Sequence, residues 1–244
     1  MSPLPAAVVR DLAPHGVLRA SINLGNPVLA AGTPDDPTGV TVDLAREIAA
    51  RLGVEARLHC FDAARKSFEA LHTGAADVGF LAIEPAREAE LAFTEAYVVI
   101  EGVYVVPDAA RITSPIGRPA EVDRHGVRVG VKRGSAYDLF LTRTLAAAEV
   151  VRGDEGVTVY AEQGLEVGAG IRQPATAWAL AHPGQRVLEP AFMQIRQAVA
   201  TSRSRDAATV DFLRRTVEEL KSGGFVARSL ERSGQDPTLV APGA

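Results

Sequence analysis

Long apolar runs, cysteine, aromatic side chains and net charge are all scarce in this sequence, and each shortage excludes something. No run approaches the ~18 consecutive apolar residues that a membrane-spanning helix needs. The single cysteine, Cys60, cannot close an internal disulfide, and no metal-ligand spacing surrounds it, so it reads as a structural, half-buried thiol. Aromatic residues make up 5% of the chain, too few to suggest a cage for a quaternary ammonium. The net charge of −4 offers no basic field to nucleic acid or to an anionic membrane, and "VKRG" (131–134) and "TSRSRD" (201–206) are too short to change that. His59, His72, His125 and His182 are scattered, with no nucleophile–His–acid order, phosphate loop or metal cluster. No cofactor and no metal are expected. The opening "MSPLPAAVVRDLAPHG" has neither a basic n-region nor a long apolar h-region. A cytoplasmic protein is expected, or a periplasmic one if a removed leader precedes residue 1.

What is present is an alternation of strand and helix patterns. The 244 residues can bury one large core or two modest ones. "PAAVVRDLAP" (5–14) can form a short helix, "GVLRASINL" (16–24) reads as a strand, and "GNP" (25–27) and "TPDDPTG" (33–39) read as turns. In "TVDLAREIAARLGV" (41–54), Val42, Leu44, Ala45, Ile48, Ala49 and Leu52 share one helical face, and Gly53 closes it. "EARLHCFD" (55–62) alternates as a strand, and "ARKSFEALHTG" (64–74) is a helix capped by Gly74. "ADVGFLAI" (76–83) is the continuous apolar run of a strand covered on both faces. Pro85 then opens a helix.

Strand "HGVRVGV" (125–131) and helix "SAYDLFLTRTLAAA" (135–148) follow, and the alternation continues through 157–183. "AATVDFLRRTVEELKSGGFVARSLERSG" (207–234) gives two helices, the first ended by Gly223 and Gly224. The order implies an α/β fold with mainly parallel sheets. "AYVVIEGVYVVP" (96–107) is long for one ordinary strand, and "MQIRQAVATS" (193–202) can carry the chain back. Two lobes are therefore expected, 1–99 plus 196–244 and 100–195, with a ligand cleft and a two-strand hinge between them.

Arg87 poses a puzzle. It sits in the first turn of the helix opened by Pro85, where the partial positive end of the dipole disfavours a cation by roughly 0.3–1 kcal/mol. Glu88, Glu90 or plain solvent exposure would be ordinary answers.

Several stretches resemble the bacterial family 3 extracellular solute-binding proteins, the type II periplasmic-binding fold of polar amino-acid ABC transporters. They are "GVTVDLAREIAARLGV", "ALHTGAADVGFLAIEPAREAELAFTEAY", "RVGVKRGSAYDLFL" and "FLRRTVEELKSGGFVARSLERSG", and the likeness runs from about residue 16 to 234. It implies a two-lobed fold, each lobe a mainly parallel sheet flanked by helices, and a small ligand held without covalent chemistry. In the family, the arginine matching Arg87 reaches the cleft and binds the ligand carboxylate, which suits the rigid donor fork of a guanidinium. Phe80 and Ala82, on the preceding strand, are further candidate contacts. Glu84 stands where the family has threonine and is read either as a helix cap or as a pocket-edge acceptor.

In "KRGSAY", Ser135 is either an N-cap or a ligand contact, and Ala136 replaces the family's second hydroxyl. The family ends a later strand on an aspartate for the ligand ammonium, but here that position falls on Arg172, within one residue. Arg172 and Gln173 suit a second carboxylate, a phosphate-like group or a carbonyl, and a surface ion pair is the other reading of Arg172. Asn23 and Asn26 replace a stacking aromatic, though Asn26 before Pro27 also fits a turn. Phe61, Phe80 and Trp178 are pocket walls or core.

These substitutions favour an anionic metabolite, such as an organic acid, keto acid or dicarboxylate, over an amino acid. The expected partners are that ligand and, should the chain be exported, an ABC-transporter permease. The chain is expected to be a monomer or a weak dimer, with no nucleic acid and no membrane insertion. The competing class is an enzyme similar to the cyclohexadienyl dehydratases, which would need a carboxylic acid such as Glu84, Glu101 or Glu162 as proton donor.

Overall fold

The computed structural model describes residues 6–108 and 116–243, so Pro5 of the expected first helix lies outside the described residues. Helix α1 (Ala6–Leu12) leads into strand β1 (Val17–Asn23), and the small strands β2 (Ala31–Gly32) and β3 (Pro37–Thr38) form a two-stranded ribbon. Helix α2 (Val40–Leu52) buries Leu44, Ala45, Ile48, Ala49 and Leu52, and Gly53 ends it in the left-handed conformation at φ 71°. Strand β4 (Glu55–Phe61), helix α3 (Ala64–His72) and the wholly buried strand β5 (Val78–Ala82) follow. Helix α4 (Pro85–Glu88) is a single turn, and β6 (Leu91–Pro107) runs for 17 residues.

The chain continues through β7 (Arg128–Lys132), α5 (Ala136–Thr144), β8 (Glu149–Gly153), α6 (Gly156–Gln163), β9 (Val167–Ile171), α7 (Arg172–Ala181) and β10 (Gln185–Val187). It returns in β11 (Met193–Ser202) and closes with α8 (Ala207–Ser222) and α9 (Phe225–Arg232). The fold is mixed α/β with mainly parallel strand pairing. It divides into two compact units, Met1–Val99 with Arg196–Ala244, and Ile100–Ile195.

In unit 1, β1 lies parallel to both β4 and β5, while β11 pairs antiparallel with β5. Leu18, Ile22, Leu44, Ile48, Leu71, Leu81 and Leu213 fill its core. A buried ion network ties the elements together. The Asp77 carboxylate accepts from Arg19 N (3.0 Å), Nε (2.9 Å) and Nη2 (2.8 Å) and from Arg205 Nη2 (2.8 Å). The side chain of Asp77 is fully buried, so β1, the start of β5 and the turn after β11 share one anion.

In unit 2, β7 lies parallel to β8 and β9, and β6 pairs antiparallel with β9 and β10. Val103, Val105, Val159, Tyr160, Leu165 and Ala175 form its core. Helix α6 approaches β9 closely because Gly156 has no side chain: a Cβ there would lie 2.0 Å from the Ala169 carbonyl oxygen. The alternation expected over 157–183 resolves as helix, strand and helix. The helix expected over 135–148 is shorter, ending at Thr144. Asp123 explains the early stop, since its carboxylate accepts from the N–H groups of Ala146, Ala147 and Ala148 and draws them out of the helical path. Those same bonds hold the Asp123 carboxyl below its ordinary range.

Candidate functional site

The strand order in each unit marks a topological switch point before any residue is considered. In unit 1 the chain steps from β1 through α2 to β4 on one side, then through α3 to β5 on the other. The order therefore reverses between β1 and β5, and in open α/β sheets ligands bind beyond the carboxyl ends of the strands at such a switch point. Unit 2 repeats the device. From β7 the chain steps through α5 to β8, then through α6 to β9 on the opposite side, so the order reverses between β7 and β9.

Unit 1 brings Asn23, Asn26, Ala82, Glu84 and Arg87 to its switch point, on the two segments that leave β1 and β5. Both asparagines shape the first segment. Asn23 Oδ1 accepts from Gly25 N at 3.0 Å, and the buried Asn26 accepts from Val28 N through Oδ1 at 3.3 Å. The Asn26 carbonyl also receives the N–H groups of Leu29 and Ala30, both at 3.0 Å. The turn role read for Asn26 is thus present, and Asn23 has the same one.

Arg87 is 3% exposed and Glu84 4% exposed, which removes solvent exposure as the answer to the arginine puzzle. Arg87 Nη1 donates to the Ala82 carbonyl at 3.1 Å, anchoring the guanidinium to the end of β5. Burial pushes the guanidinium down to about 10, and the negative charge of Glu84 pulls it back up. Arg87 therefore carries its proton at neutral pH. The dipole objection loses its force as well, because a helix of one turn sums few peptide dipoles. Glu84 occupies the N-cap position without a side-chain cap bond, so capping by its carboxylate is not what it does. Its carbonyl oxygen accepts from Arg87 N at 2.8 Å and from Glu88 N at 2.9 Å. Phe80 is buried on β5 and packs edge-to-face on Tyr97, with ring centroids 6.1 Å apart.

At the unit 2 switch point, Ser135 caps α5: its hydroxyl accepts from Asp138 N at 3.1 Å, while Asp138 Oδ2 accepts from Gly134 N at 2.8 Å. Ala136 is buried beside it. Removing the cap has a predictable cost. Ser135→Ala should lower stability by about 1 kcal/mol, read as a shift in the urea midpoint with an unchanged slope. A midpoint identical to wild type would show that the bond to Asp138 N adds nothing.

Arg172 and Gln173 begin α7 directly after β9. Arg172 is held on two sides, by Glu189 (Nη2 to Oε2 2.9 Å, with a second bond from Nη1) and by Glu101, which accepts from Nε. These bonds, Glu189 first, raise the guanidinium above its ordinary value, and all three side chains are partly solvated. Two carboxylates thus face one guanidinium, and the ion-pair reading of Arg172 is the one the structure displays. Gln173 Oε1 is buried with no hydrogen-bond partner among the described residues.

Sequence reading missed Glu101 and Glu189 as partners of Arg172. A signal existed for the first: Glu101 is the lone charge inside the apolar stretch 96–106. Trp178 stacks on His182 at 3.9 Å, and Phe61 packs against the cluster around Leu71 and Leu91. Among the described residues no group of His, Cys, Asp or Glu is arranged to hold a metal ion, and no helix is long and apolar enough to cross a membrane.

Each unit, taken by itself, carries polar side chains at its switch point, the place where ligands bind in open α/β sheets. The chain belongs to the bacterial extracellular solute-binding proteins, family 3, whose model it matches over residues 23–235. Among solved structures it is similar to a mutant of ArgBP from T. maritima, with 22% identity over 93% of this chain and 99% of that one (TM-score 0.73). A putative binding component of an ABC transporter from Wolinella succinogenes, complexed with lysine, is 19% identical over 89% of this chain and 95% of that one (TM-score 0.72). An ancestral amino-acid-binding protein described as a precursor of cyclohexadienyl dehydratase is 17% identical over 92% of this chain and 98% of that one (TM-score 0.72). At these identities the likeness carries the fold alone. No curated protein matches the sequence.

Proposed function

We propose that this protein is a non-catalytic solute-binding protein that takes the carboxylate of a small metabolite on Arg87. The observation that carries the reading is a charged guanidinium, buried and anchored to Ala82, at the unit 1 switch point. Organic acids, keto acids and amino acids all offer the carboxylate such a donor fork recognises. A second acidic group on the ligand has lost its main support, because Arg172 is already engaged by Glu101 and Glu189. Ser135, Ala136 and Gln173 are the unit 2 candidates for ligand contact, with Asn23, Asn26 and Ala82 those of unit 1.

Two observations favour binding over the dehydratase chemistry. The Glu101 carboxylate is engaged by the Arg172 guanidinium and so is not free to meet a leaving hydroxyl, and Glu162 is exposed on α6. Membership of an extracellular family favours the periplasmic alternative among the two compartments, and with it an ABC-transporter permease as partner.

Thermal unfolding tests the reading. Organic acids, 2-oxo acids, prephenate, the protein amino acids and the carboxamides of each, which lack the carboxylate under test, are screened singly, and a ligand present at ~100 times its Kd adds roughly 2.7 kcal/mol of stability. Stabilisation confined to carboxylate-bearing compounds is expected, with no product formed. Turnover of prephenate would replace the binding reading by the enzymatic one.

A further inference from the structure

A guanidinium grips a carboxylate well only if its donor fork is held in place, and the helix that carries Arg87 cannot do this alone. Helix α4 is a single turn of 4 residues, far below the ~12–15 residues at which a helix begins to stand unaided in water. Bonds to the rest of unit 1 must set its position, and β11 with the turn after it supplies such bonds at both ends. At the entry, β5 pairs with β11 in the register Ala82↔Gln197, and Ile83 N donates to the Arg196 carbonyl at 2.9 Å. At the exit, Arg203 Nη1 donates to the carbonyls of Glu88 (2.7 Å) and Ala89 (3.3 Å), 115 and 114 residues earlier in the chain. Carbonyls at a helix C-terminus lack intrahelical partners, and a basic side chain can take them. The turn that presents Arg203 is itself fixed. Ser204 N donates to Ser202 Oγ at 3.2 Å, Arg205 N donates to the Ser202 carbonyl at 3.2 Å, and Arg205 Nη2 reaches the buried Asp77 at 2.8 Å. Arg203 is exposed, and among the described residues it meets no carboxylate at ion-pair distance, so the two carbonyls are what hold its guanidinium.

We infer that Arg203 is a positioning residue: it clamps the α4 turn, so that the Arg87 fork is already in place when a carboxylate arrives. This rests on the reading of Arg87 as the carboxylate contact. Without the clamp, binding must itself order the turn, and the cost of that ordering is taken from the affinity.

Isothermal titration of the whole chain tests it, with each carboxylate compound that stabilises the unmodified protein among the organic acids, 2-oxo acids, prephenate and protein amino acids. Arg203→Met keeps much of the length of the side chain and removes its donors. It should weaken binding at least ~3-fold, within the cost of ordering one side chain at a binding site. The melting midpoint of the free protein should stay within about 2 °C of the unmodified one, as for other exposed substitutions. The loss of affinity should persist at ~0.5 M salt, where the long-range attraction of an exposed charge is screened. Hydrogen exchange gives a readout that needs no ligand: the amides of Glu88, Ala89 and Glu90 should exchange faster in Arg203→Met, and those of β5 should not. Arg203→Lys, which keeps a cationic donor, should bind more tightly than Arg203→Met. A smaller loss of affinity, a loss that vanishes at high salt, a larger fall in midpoint, unchanged exchange in the turn or no rescue by lysine would each overturn the inference. Arg87→Met keeps the two layers apart. If it abolishes binding while Arg203→Met leaves affinity unchanged, Arg203 alone is misassigned. If Arg87→Met leaves binding intact, or no compound of the panel binds, the Arg87 reading fails and the clamp falls with it.

Discussion

Asp77→Ala should lower the unfolding free energy by about 3–5 kcal/mol, the usual cost of removing one partner from a buried ion pair. The carboxylate is fully buried and accepts four donors, three from Arg19 and one from Arg205. Its removal strips Arg19 of its counter-charge and leaves Arg205 with Asp11, 3.6 Å away, as its remaining anion, the two guanidinium side chains being 20% and 15% exposed. It also opens the joint that holds β1, β5 and the turn after β11 in unit 1. For a chain of this size each kcal/mol moves the midpoint by roughly 2–4 °C, so a drop on the order of 10 °C is expected in a calorimetric scan. Asp77→Asn should recover little, because an amide turns donors toward donors.

The double variant Asp77→Ala with Arg19→Leu is the discriminating measurement. Much of the cost of the single variant is the penalty for a stranded cation, so the double variant should be more stable than Asp77→Ala. If Asp77→Ala melts within 1 °C of wild type, the network does not hold unit 1 together.

That network also shows how the fold and the site differed in legibility. The elements were readable because their signals are local. Gly53 and Gly74, each at positive φ, terminate α2 and α3 where the apolar period stops. The continuous apolar run of β5 is buried at every position. Arg87 was findable for the same reason: strand, proline and arginine lie within a few residues, and the oddity of the arginine was visible without its partners.

What the sequence hid is distance. Arg172 meets Glu101 across 71 residues because β6 and β9 pair in the register Gly102↔Ile171. No spacing rule links those positions, so Arg172 could be read as a ligand contact or as an ion pair. Glu84 was hidden differently. A glutamate before Pro85 has the position of a cap, and only the structure shows it buried, with no cap bond from its side chain, in the same turn as the buried Arg87. The "VTV" at 157–159 is β-branched yet lies in α6, a case of tertiary packing overriding local preference: Val159 and Tyr160 fill the unit 2 core. Helix α5 stopped early through Asp123, a side chain more than 20 residues away from the N–H groups it holds.

Arg87→Met should reduce affinity for any stabilising carboxylate ligand by roughly 30-fold to several thousand-fold, the 2–5 kcal/mol typical of a truncated buried charge contact. Methionine keeps much of the length and apolar contact of the side chain and removes only the donor fork and the charge. Arg87→Lys keeps the charge as a point donor and loses the planar fork, so its affinity should fall between the two. The single Met variant also leaves Glu84 buried without its cation, which destabilises the folded protein and could be mistaken for lost binding. Pairing Arg87→Met with Glu84→Gln removes both charges together. The double variant should regain thermal stability relative to Arg87→Met and still fail to bind, because a neutral site offers the carboxylate no counter-charge. Recovery of binding along with stability would mean that Arg87 supports the fold of the turn after β5 and does not contact the ligand.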